Sequence, residues 1–250
     1  MVRLINDVNE LGFLPADPYA ARITALAETY GTGYDFALFW MQSIDEKSVA
    51  AVCRVDGNMT VCCDDGADYE ELSAFINAVG FSSLTCDSEV MKKLGYEPSK
   101  TSFTVEYKGG AAVGGIEKTR DCDKKKIYDL LCGCGFELGD YRAFLADVCA
   151  RLNKNTASFA AVMNENEPCA CAFALFKGEK SVLLGAVATN EKARGRGYAS
   201  ELVGTLAEEN SDKKVFLFCR NDSLADFYSK IGFEKVGCWA ICEKIIQEAS

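Results

Sequence analysis

Histidine is absent from the 250 residues of the sequence. Its absence excludes Ser-His and Cys-His nucleophilic catalysis and removes the commonest ligand of metal sites. Proton transfer must therefore use Asp, Glu, Tyr, Cys, Lys or water. We expect no metal, since the closely spaced pairs Cys132/Cys134 and Cys169/Cys171 have no further ligands nearby in the sequence.

Long apolar runs are also missing. No stretch approaches the ~18–20 apolar residues that span a bilayer, and no basic flank followed by an apolar segment opens the chain. The 13 cysteines are odd in number, and many lie in apolar, strand-like runs, where a free thiol behaves as a small hydrophobe. We therefore expect a cytoplasmic protein without a membrane partner.

Positive charge is scarce. The chain carries 27 basic and 37 acidic residues, a net charge of −10, which argues against nucleic acid as a partner. The excess of acidic residues is concentrated in residues 1–120, which contain 10 basic and 18 acidic residues. Such a half would weakly attract a cationic amine, although a solvated acidic surface explains it equally well.

The chain divides into two halves that resemble distant copies. Each half has three apolar, β-prone runs joined by hairpin-type turns, which predict an antiparallel meander. Each then has a helical pattern that stops at a glycine followed by an aromatic residue, at Gly95-Tyr96 and at Gly232-Phe233. The first copy is shorter by 14 residues, counted from Phe36 to Leu94 and from Phe159 to Ile231.

Composition places the boundary between the halves in a glycine-rich and then charged stretch. We predict an N-terminal unit over residues 1–108, a linker over residues 109–126 and a C-terminal unit over residues 127–250. Residues 1–30 are predicted to be helical, because the segment from Pro18 to Ala27 has apolar residues at helical spacing.

The most informative segment is the turn Arg194-Gly195-Arg196-Gly197-Tyr198-Ala199. It lies between an apolar strand that ends near Ala188 and a helix whose buried face includes Leu202 and Leu206. Glycines at a helix N-terminus expose successive N–H groups, and the helix dipole favours an anion there. The turn is not a P-loop, since no Gly-Lys-Ser/Thr follows, and the surrounding hairpins do not form a dinucleotide-binding βαβ unit.

This segment resembles the GNAT superfamily of N-acetyltransferases. The family's cofactor motif, Arg/Gln-x-x-Gly-x-Gly/Ala, is matched by the turn from Arg194 to Ala199. Its second signature, a strand, an Asn, a helix with a Tyr and then Gly-Phe, is matched by residues 215–221 and 227–234. The resemblance covers about residues 156–245, and the first half matches only as a degenerate repeat, as in tandem members.

The resemblance implies a mixed α/β, α+β-like fold of two GNAT-like units, with a twisted and mostly antiparallel sheet flanked by helices. It implies acetyl transfer from acetyl-CoA to a small-molecule or peptide amine, by direct attack through a tetrahedral intermediate. Tyr228 would be the general acid, protonating the CoA thiolate. The residues that would bind the cofactor are Val187, Ala188, Arg194, Gly195, Arg196, Gly197, Tyr198, Ala199 and Asn221. We expect a monomer or homodimer.

Several roles stay open at this stage. Tyr228 could be a core aromatic residue, Asn221 could cap the next helix, and Cys219 and Cys238 are expected to be packing residues. Many family members have a Glu as general base on the strand that corresponds to residues 181–188, but none stands there. Glu137 and Asp140 are weak substitutes. The alternatives are a non-catalytic CoA-binding or regulatory module and an acyltransferase with a different acyl donor.

Overall fold

The computed structural model describes residues 1–110 and 114–243. Across these residues the chain forms one sheet of 11 strands. The strands are β1 (Val2–Leu4), β2 (Ala37–Ile44), β3 (Lys47–Val55), β4 (Asn58–Cys63), β5 (Ser83–Asp87), β6 (Lys100–Tyr107), β7 (Ser158–Asn164), β8 (Glu167–Lys177), β9 (Ser181–Thr189), β10 (Lys214–Phe218) and β11 (Phe233–Glu243). The α-helices are α1 (Pro18–Tyr30), α2 (Tyr69–Val79), α3 (Ser88–Lys93), α4 (Lys124–Gly133), α5 (Tyr141–Asn153), α6 (Tyr198–Glu208) and α7 (Asp222–Ser229).

The strand order is β1-β2-β3-β4-β5-β11-β6-β10-β9-β8-β7. Both predicted meanders are confirmed, since β2-β3-β4 and β7-β8-β9 pair antiparallel. In each half the meander is followed by a parallel pair, β4 with β5 and β9 with β10, and a helix connects the two strands of each pair. The predicted mixed α/β fold with a mostly antiparallel sheet is therefore confirmed.

The two halves exchange strands at the centre of the sheet. Strand β6, from the first half, pairs with β10, and β11, from the second half, pairs with β5. Strands β6 and β11 also pair with each other. The hydrogen-bond ladder thus crosses the boundary predicted between residues 108 and 127, and the division into two sequential units stays a prediction.

Helices cover both faces of the sheet because side chains alternate along each strand. In β9, Val182 and Leu184 pack against α6, whereas Leu183 packs against Ala21 of α1. In β2, Trp40 faces α2 and α3, and Phe39 faces α1. Helices α4 and α5 cover β7 and β8 on the α1 side, where Tyr30 of α1 donates a hydrogen bond to Asp147 of α5.

The prediction that residues 1–30 are helical is only partly right. Helix α1 begins at Pro18, in the first turn, where its missing N–H costs nothing. Residues 2–4 instead form β1, because they pair with residues 40–42 of β2. Residues Val8–Phe13 form a 3-10 helix held by a capping box between Asp7 and Glu10.

Part of the predicted linker is docked on the second half. Ile116 packs against the core under α6, Lys118 forms an ion pair with Glu201, and Thr119 forms a β-bridge with Ala161 of β7. Glu201 is 1% exposed, so Lys118 compensates a buried charge. Residues 111–113 of the predicted linker lie outside the described residues, as do residues 244–250 of the predicted second unit.

Candidate active site

The two parallel strands of the second half separate at their carboxyl ends. Strands β9 and β10 pair from Ser181↔Lys214 to Leu184↔Leu217, and the ladder stops there. Beyond this point the backbone of β9 continues to Thr189 without β10 beside it. This separation opens a cleft between the two strands.

A distortion in β9 turns the backbone at the mouth of the cleft. Ala186 has φ of 47°, a left-handed value that is unusual for a residue with a Cβ. The register of β9 against β8 shifts on the Ala188 side of Gly185, as in a β-bulge. Gly185 lies at this shift, and its lack of a side chain leaves room for Leu175, since a Cβ there would lie 2.5 Å from Leu175 Cδ1. Sequence reasoning missed the bulge, and the glycine within an apolar strand was its one signal.

The glycine turn ends at the N-terminus of α6, as predicted. Gly195 and Gly197 have φ of 78° and 80°, and Gly197 is the N-cap residue in the left-handed conformation. No side chain caps the helix, so the N–H groups of Tyr198, Ala199 and Ser200 have no acceptor among the described residues. A helix start with unoccupied N–H groups is an anion site.

A cavity of about 510 Å³ joins the turn to the cleft. Most of the predicted cofactor-binding residues line it, together with Tyr228, whereas Arg196 and Asn221 do not. Sequence reasoning missed several other lining residues, of which Ser200 adjoins the glycine turn and Phe227 lies within the second motif. The full lining is Cys134, Phe136, Val187, Ala188, Thr189, Ala193, Arg194, Gly195, Gly197, Tyr198, Ala199, Ser200, Leu224, Phe227 and Tyr228.

Two of the predicted polar residues, Arg194 and Asn221, make hydrogen bonds within the protein. Arg194 donates from Nε to the carbonyl oxygen of Thr189 at 3.4 Å, which holds it against the end of β9. Arg196 is exposed beside the turn. Asn221 is the N-cap of α7 and accepts a hydrogen bond from the N–H of Leu224 at 3.0 Å. The capping alternative for Asn221 therefore describes its observed contact.

Tyr228 is buried, with 4% of its surface exposed, and lines the cavity. Its ring packs edge-on against Phe227 and Phe233, at centroid distances of 5.1 and 5.9 Å. Burial, and then the neighbouring Cys219 thiol, raise the pKa of the Tyr228 hydroxyl above its usual value. The hydroxyl therefore stays protonated at neutral pH and can donate a proton, but it cannot be a base there.

Cys219 is fully buried, and burial raises the pKa of its thiol to about 11. A thiol that stays protonated at neutral pH is a poor nucleophile. This favours the packing role expected for Cys219.

Two lining residues come from the segment between α4 and α5. Cys134 and Phe136 reach the cavity from the α1 side of the sheet, so the cavity passes between the separated strands from one face to the other. The Arg220 guanidinium lies 5.3 Å from the centroid of the Phe136 ring. Nothing in the local sequence distinguishes these residues, because the fold alone brings them to the cleft.

The weak candidates for a general base do not reach the cavity. Asp140 caps α5 by accepting hydrogen bonds from the N–H groups of Arg142 and Ala143, and Glu137 is exposed. Among the described lining residues there is no Asp or Glu. The described part of the chain therefore places no carboxylate against this cavity.

Comparison with known proteins agrees with this geometry. The family model of the acetyltransferase (GNAT) domain matches residues 155–235, which include β9, the glycine turn, α6, β10 and α7. The match therefore lies entirely within the second half of the chain and covers the strands and helices that form the cleft. No curated protein matched the chain.

Solved structures extend the likeness to the whole chain. A tandem GNAT protein from the clavulanic acid biosynthesis pathway has 11% identity and a TM-score of 0.59, over 96% of this chain and 97% of its own. A GNAT-family acetyltransferase from Colwellia psychrerythraea has 10% identity and a TM-score of 0.56, over 98% and 100%. A GCN5-related N-acetyltransferase from Sphaerobacter thermophilus has 14% identity and a TM-score of 0.56, over 98% and 95%. The chain thus has the fold of GNAT proteins along nearly its whole length.

Two absences hold for the described residues alone. They contain no helix long and apolar enough to cross a membrane. They also contain no group of three or more Cys, Asp or Glu side chains placed to hold a metal ion.

Proposed function

We propose that the second half binds acetyl-CoA and transfers its acetyl group to an amine. The observation that carries the proposal is the alignment of the uncapped α6 N-terminus with the gap between β9 and β10. If the anionic group of a ligand binds at the turn, a linear chain attached to that group would lie in the gap between β9 and β10. Acetyl-CoA has this form, with a pyrophosphate joined through pantetheine to a thioester.

The binding residues follow from these positions. The N–H groups from Gly195 to Ser200 would hold the pyrophosphate, with Arg194 and Arg196 adding positive charge at the rim. The backbone of β9 that has no partner on the β10 side would bind the pantetheine amides. Val187 lines the cavity directly after the bulge at Ala186. Its backbone N–H would stabilise the oxyanion of a tetrahedral intermediate.

The proposed chemistry is direct transfer. The amine nitrogen attacks the thioester carbonyl carbon, the C–S bond breaks, and the CoA thiolate takes the proton of the Tyr228 hydroxyl. The amine loses its proton to water, because no carboxylate of the described residues lines the cavity. An acceptor that arrives neutral needs no base before attack. Its nitrogen loses one proton after attack, and water returns a proton to the Tyr228 oxygen.

The first half is proposed not to bind CoA. Its segment between β4 and α2 carries Asp64, Asp65 and Asp68 where the second half carries its glycines and arginines. Asp68 caps α2, since it accepts hydrogen bonds from the N–H groups of Glu70 and Glu71. A helix start that is already capped and surrounded by carboxylates repels an anion. We therefore propose that residues 1–108 are a degenerate unit and residues 127–250 the catalytic unit.

Buried thiols such as Cys53, Cys171 and Cys219 also support the proposal of a reducing, cytoplasmic location.

A thiol-release assay with acetyl-CoA and a panel of small amines, amino acids and peptide amines tests the proposed activity. We expect CoA release that depends on one class of amine. Longer acyl-CoA donors in the same assay distinguish an acyltransferase of different donor preference. Tight CoA binding without turnover on any amine would favour a binding module, which the lack of a lining carboxylate also allows. Absence of both turnover and acetyl-CoA binding would refute the proposal.

A further inference from the structure

A second cavity, of about 370 Å³, lies against the start of α1. It is near the point where the parallel strands of the first half separate, because β4 and β5 pair only from Asn58↔Ser83 to Thr60↔Thr85. Its walls also include residues of β6, β10 and β11. It shares no lining residue with the acetyl-CoA cavity.

The charged groups of this cavity are mostly acidic. Asp17, Asp87 and Glu106 line it, with Lys214 as the single basic residue among the described lining residues. Both Asp17 oxygens are engaged, one by the N–H of Ala20 and the other by the Cys62 thiol. Asp17 is therefore held by contacts within the protein, and burial raises the pKa of its carboxyl above the usual value, so we assign it no contact with a ligand.

The other two carboxylates keep an oxygen for a ligand. Asp87 uses Oδ1 to cap α3, accepting from the N–H of Glu89 at 2.8 Å, and its Oδ2 lies on the Gly237 side of the cavity. The side chain of Glu106 is 12% exposed, and its Oε1 accepts from Lys108 Nζ at 2.8 Å. Lys108 does not line the cavity, so Glu106 Oε2 remains for a contact within it.

Two buried hydroxyl groups of this cavity lack partners, which is an independent sign of a missing ligand. Tyr19 and Thr104 are 6% and 5% exposed. The Tyr19 hydroxyl lies close to Thr104, Asp87 and Asp17, yet neither hydroxyl makes a hydrogen bond of acceptable geometry with any described residue. Burial, and then the carboxylate of Asp87, raise the pKa of Tyr19 above its usual range. Unmade hydrogen bonds of buried groups are rare in folded proteins because they cost stability.

We propose that this cavity binds a small organic cation, a primary ammonium or a guanidinium, between Asp87, Glu106 and the hydroxyls of Tyr19 and Thr104. Such a group donates several hydrogen bonds, and carboxylates and hydroxyl oxygens accept them. The surplus of carboxylates disfavours an anion. The apolar walls, including Val61, Val236 and Phe216, suit the alkyl chain of an organic cation better than a hydrated metal ion.

Isothermal titration calorimetry of the full-length protein tests the site, with CoA present at saturation so that the cofactor position of the first cavity is filled. A probe bound at the amine-acceptor position of that cavity would be unaffected by Asp87→Asn and Glu106→Gln. The probes are 1,4-diaminobutane and agmatine, which distinguish ammonium from guanidinium, with 1,4-butanediol and succinate as neutral and anionic controls. We expect one diamine or agmatine per chain, and no heat from the two controls.

Three variants locate the site. Asp87→Asn keeps the helix cap but removes the charge, and we expect it to weaken probe binding at least 10-fold. Glu106→Gln should do the same, and Tyr19→Phe should weaken binding about 5-fold. Glu97→Gln removes one charge from an exposed position outside the cavity and should leave affinity unchanged.

Unfolding midpoints within about 2 °C of wild type would show that these variants are folded. The proposal is overturned if neither cation binds wild type at millimolar concentration. It is also overturned if Asp87→Asn and Glu106→Gln bind as wild type does, or if succinate binds as well as the cations. Because the readout is binding and not acetyl transfer, its failure would leave the proposed activity untouched.

Discussion

The substitution Gly197→Ala separates the anion-binding role of the glycine turn from its structural role. Gly197 has φ of 80° and is the N-cap residue of α6. A Cβ built on Gly197 meets no heavy atom within 4 Å, so the methyl group would enter open space at the cavity. The expected effects are therefore backbone strain, together with a methyl group where a phosphate would approach the N–H groups.

The magnitude follows from these two effects. A left-handed conformation costs a residue with a Cβ about 1–2 kcal/mol, and the less flexible unfolded chain offsets about 0.4–1 kcal/mol of this. We expect a net loss of about 1 kcal/mol in the free energy of unfolding and a fall in Tm of about 2–4 °C. For CoA we expect at least a 10-fold loss of affinity, about 1.4 kcal/mol.

Gly95→Ala is the matched control. Gly95 has φ of 77°, has no heavy atom within 4 Å of a built Cβ, and lies outside both cavities described above. It should lose about as much stability as Gly197→Ala and bind CoA as wild type does. Titration calorimetry with CoA and urea unfolding of both variants make the comparison. Equal CoA affinity in Gly197→Ala and wild type would refute the anion-site reasoning.

Three further predictions concern the acid, a buried ion pair and pH. Tyr228→Phe should lower kcat at least 100-fold while the Kd for acetyl-CoA changes less than about threefold; equal losses of both would indicate a packing role. Lys118→Met should destabilise the protein by about 3 kcal/mol in urea unfolding, because Glu201 is left buried without a partner; adding Glu201→Leu should restore most of that, and no recovery would contradict this account. Tyr228 has a raised pKa in the folded state, so its contribution to stability is complete below the unfolded pKa of about 10 and is lost as pH rises above it. The free energy of unfolding, measured from pH 8 to 11, should therefore fall less steeply with pH for Tyr228→Phe than for wild type. Identical slopes would contradict the raised pKa of Tyr228.

Local signals in the sequence identified most of the second half. Three of these signals depend on neighbouring residues alone. They are the alternation in β7, β8 and β9, the glycines of the turn, and the end of α7 before Gly232. A Cβ at Gly232 would lie 2.1 Å from the carbonyl oxygen of Gly109, so this glycine also serves a contact that no local pattern reveals.

What the sequence did not predict depends on long-range pairing. The exchange of β6 and β11 between the halves is set by hydrogen bonds across more than 100 residues, and no periodicity encodes which strands become neighbours. Cys134 and Phe136 reach the cavity only because α4 and α5 cover the separated strands. The cavity at Tyr19 was missed for the same reason, since its carboxylates come from α1, β5 and β6.

We propose that the second half of this chain, and only that half, binds acetyl-CoA. Titration calorimetry of the wild-type protein with acetyl-CoA tests it most directly through the stoichiometry. The account predicts one acetyl-CoA per chain, with binding weakened at least 10-fold by Gly197→Ala. Two sites per chain, or no binding, would contradict it.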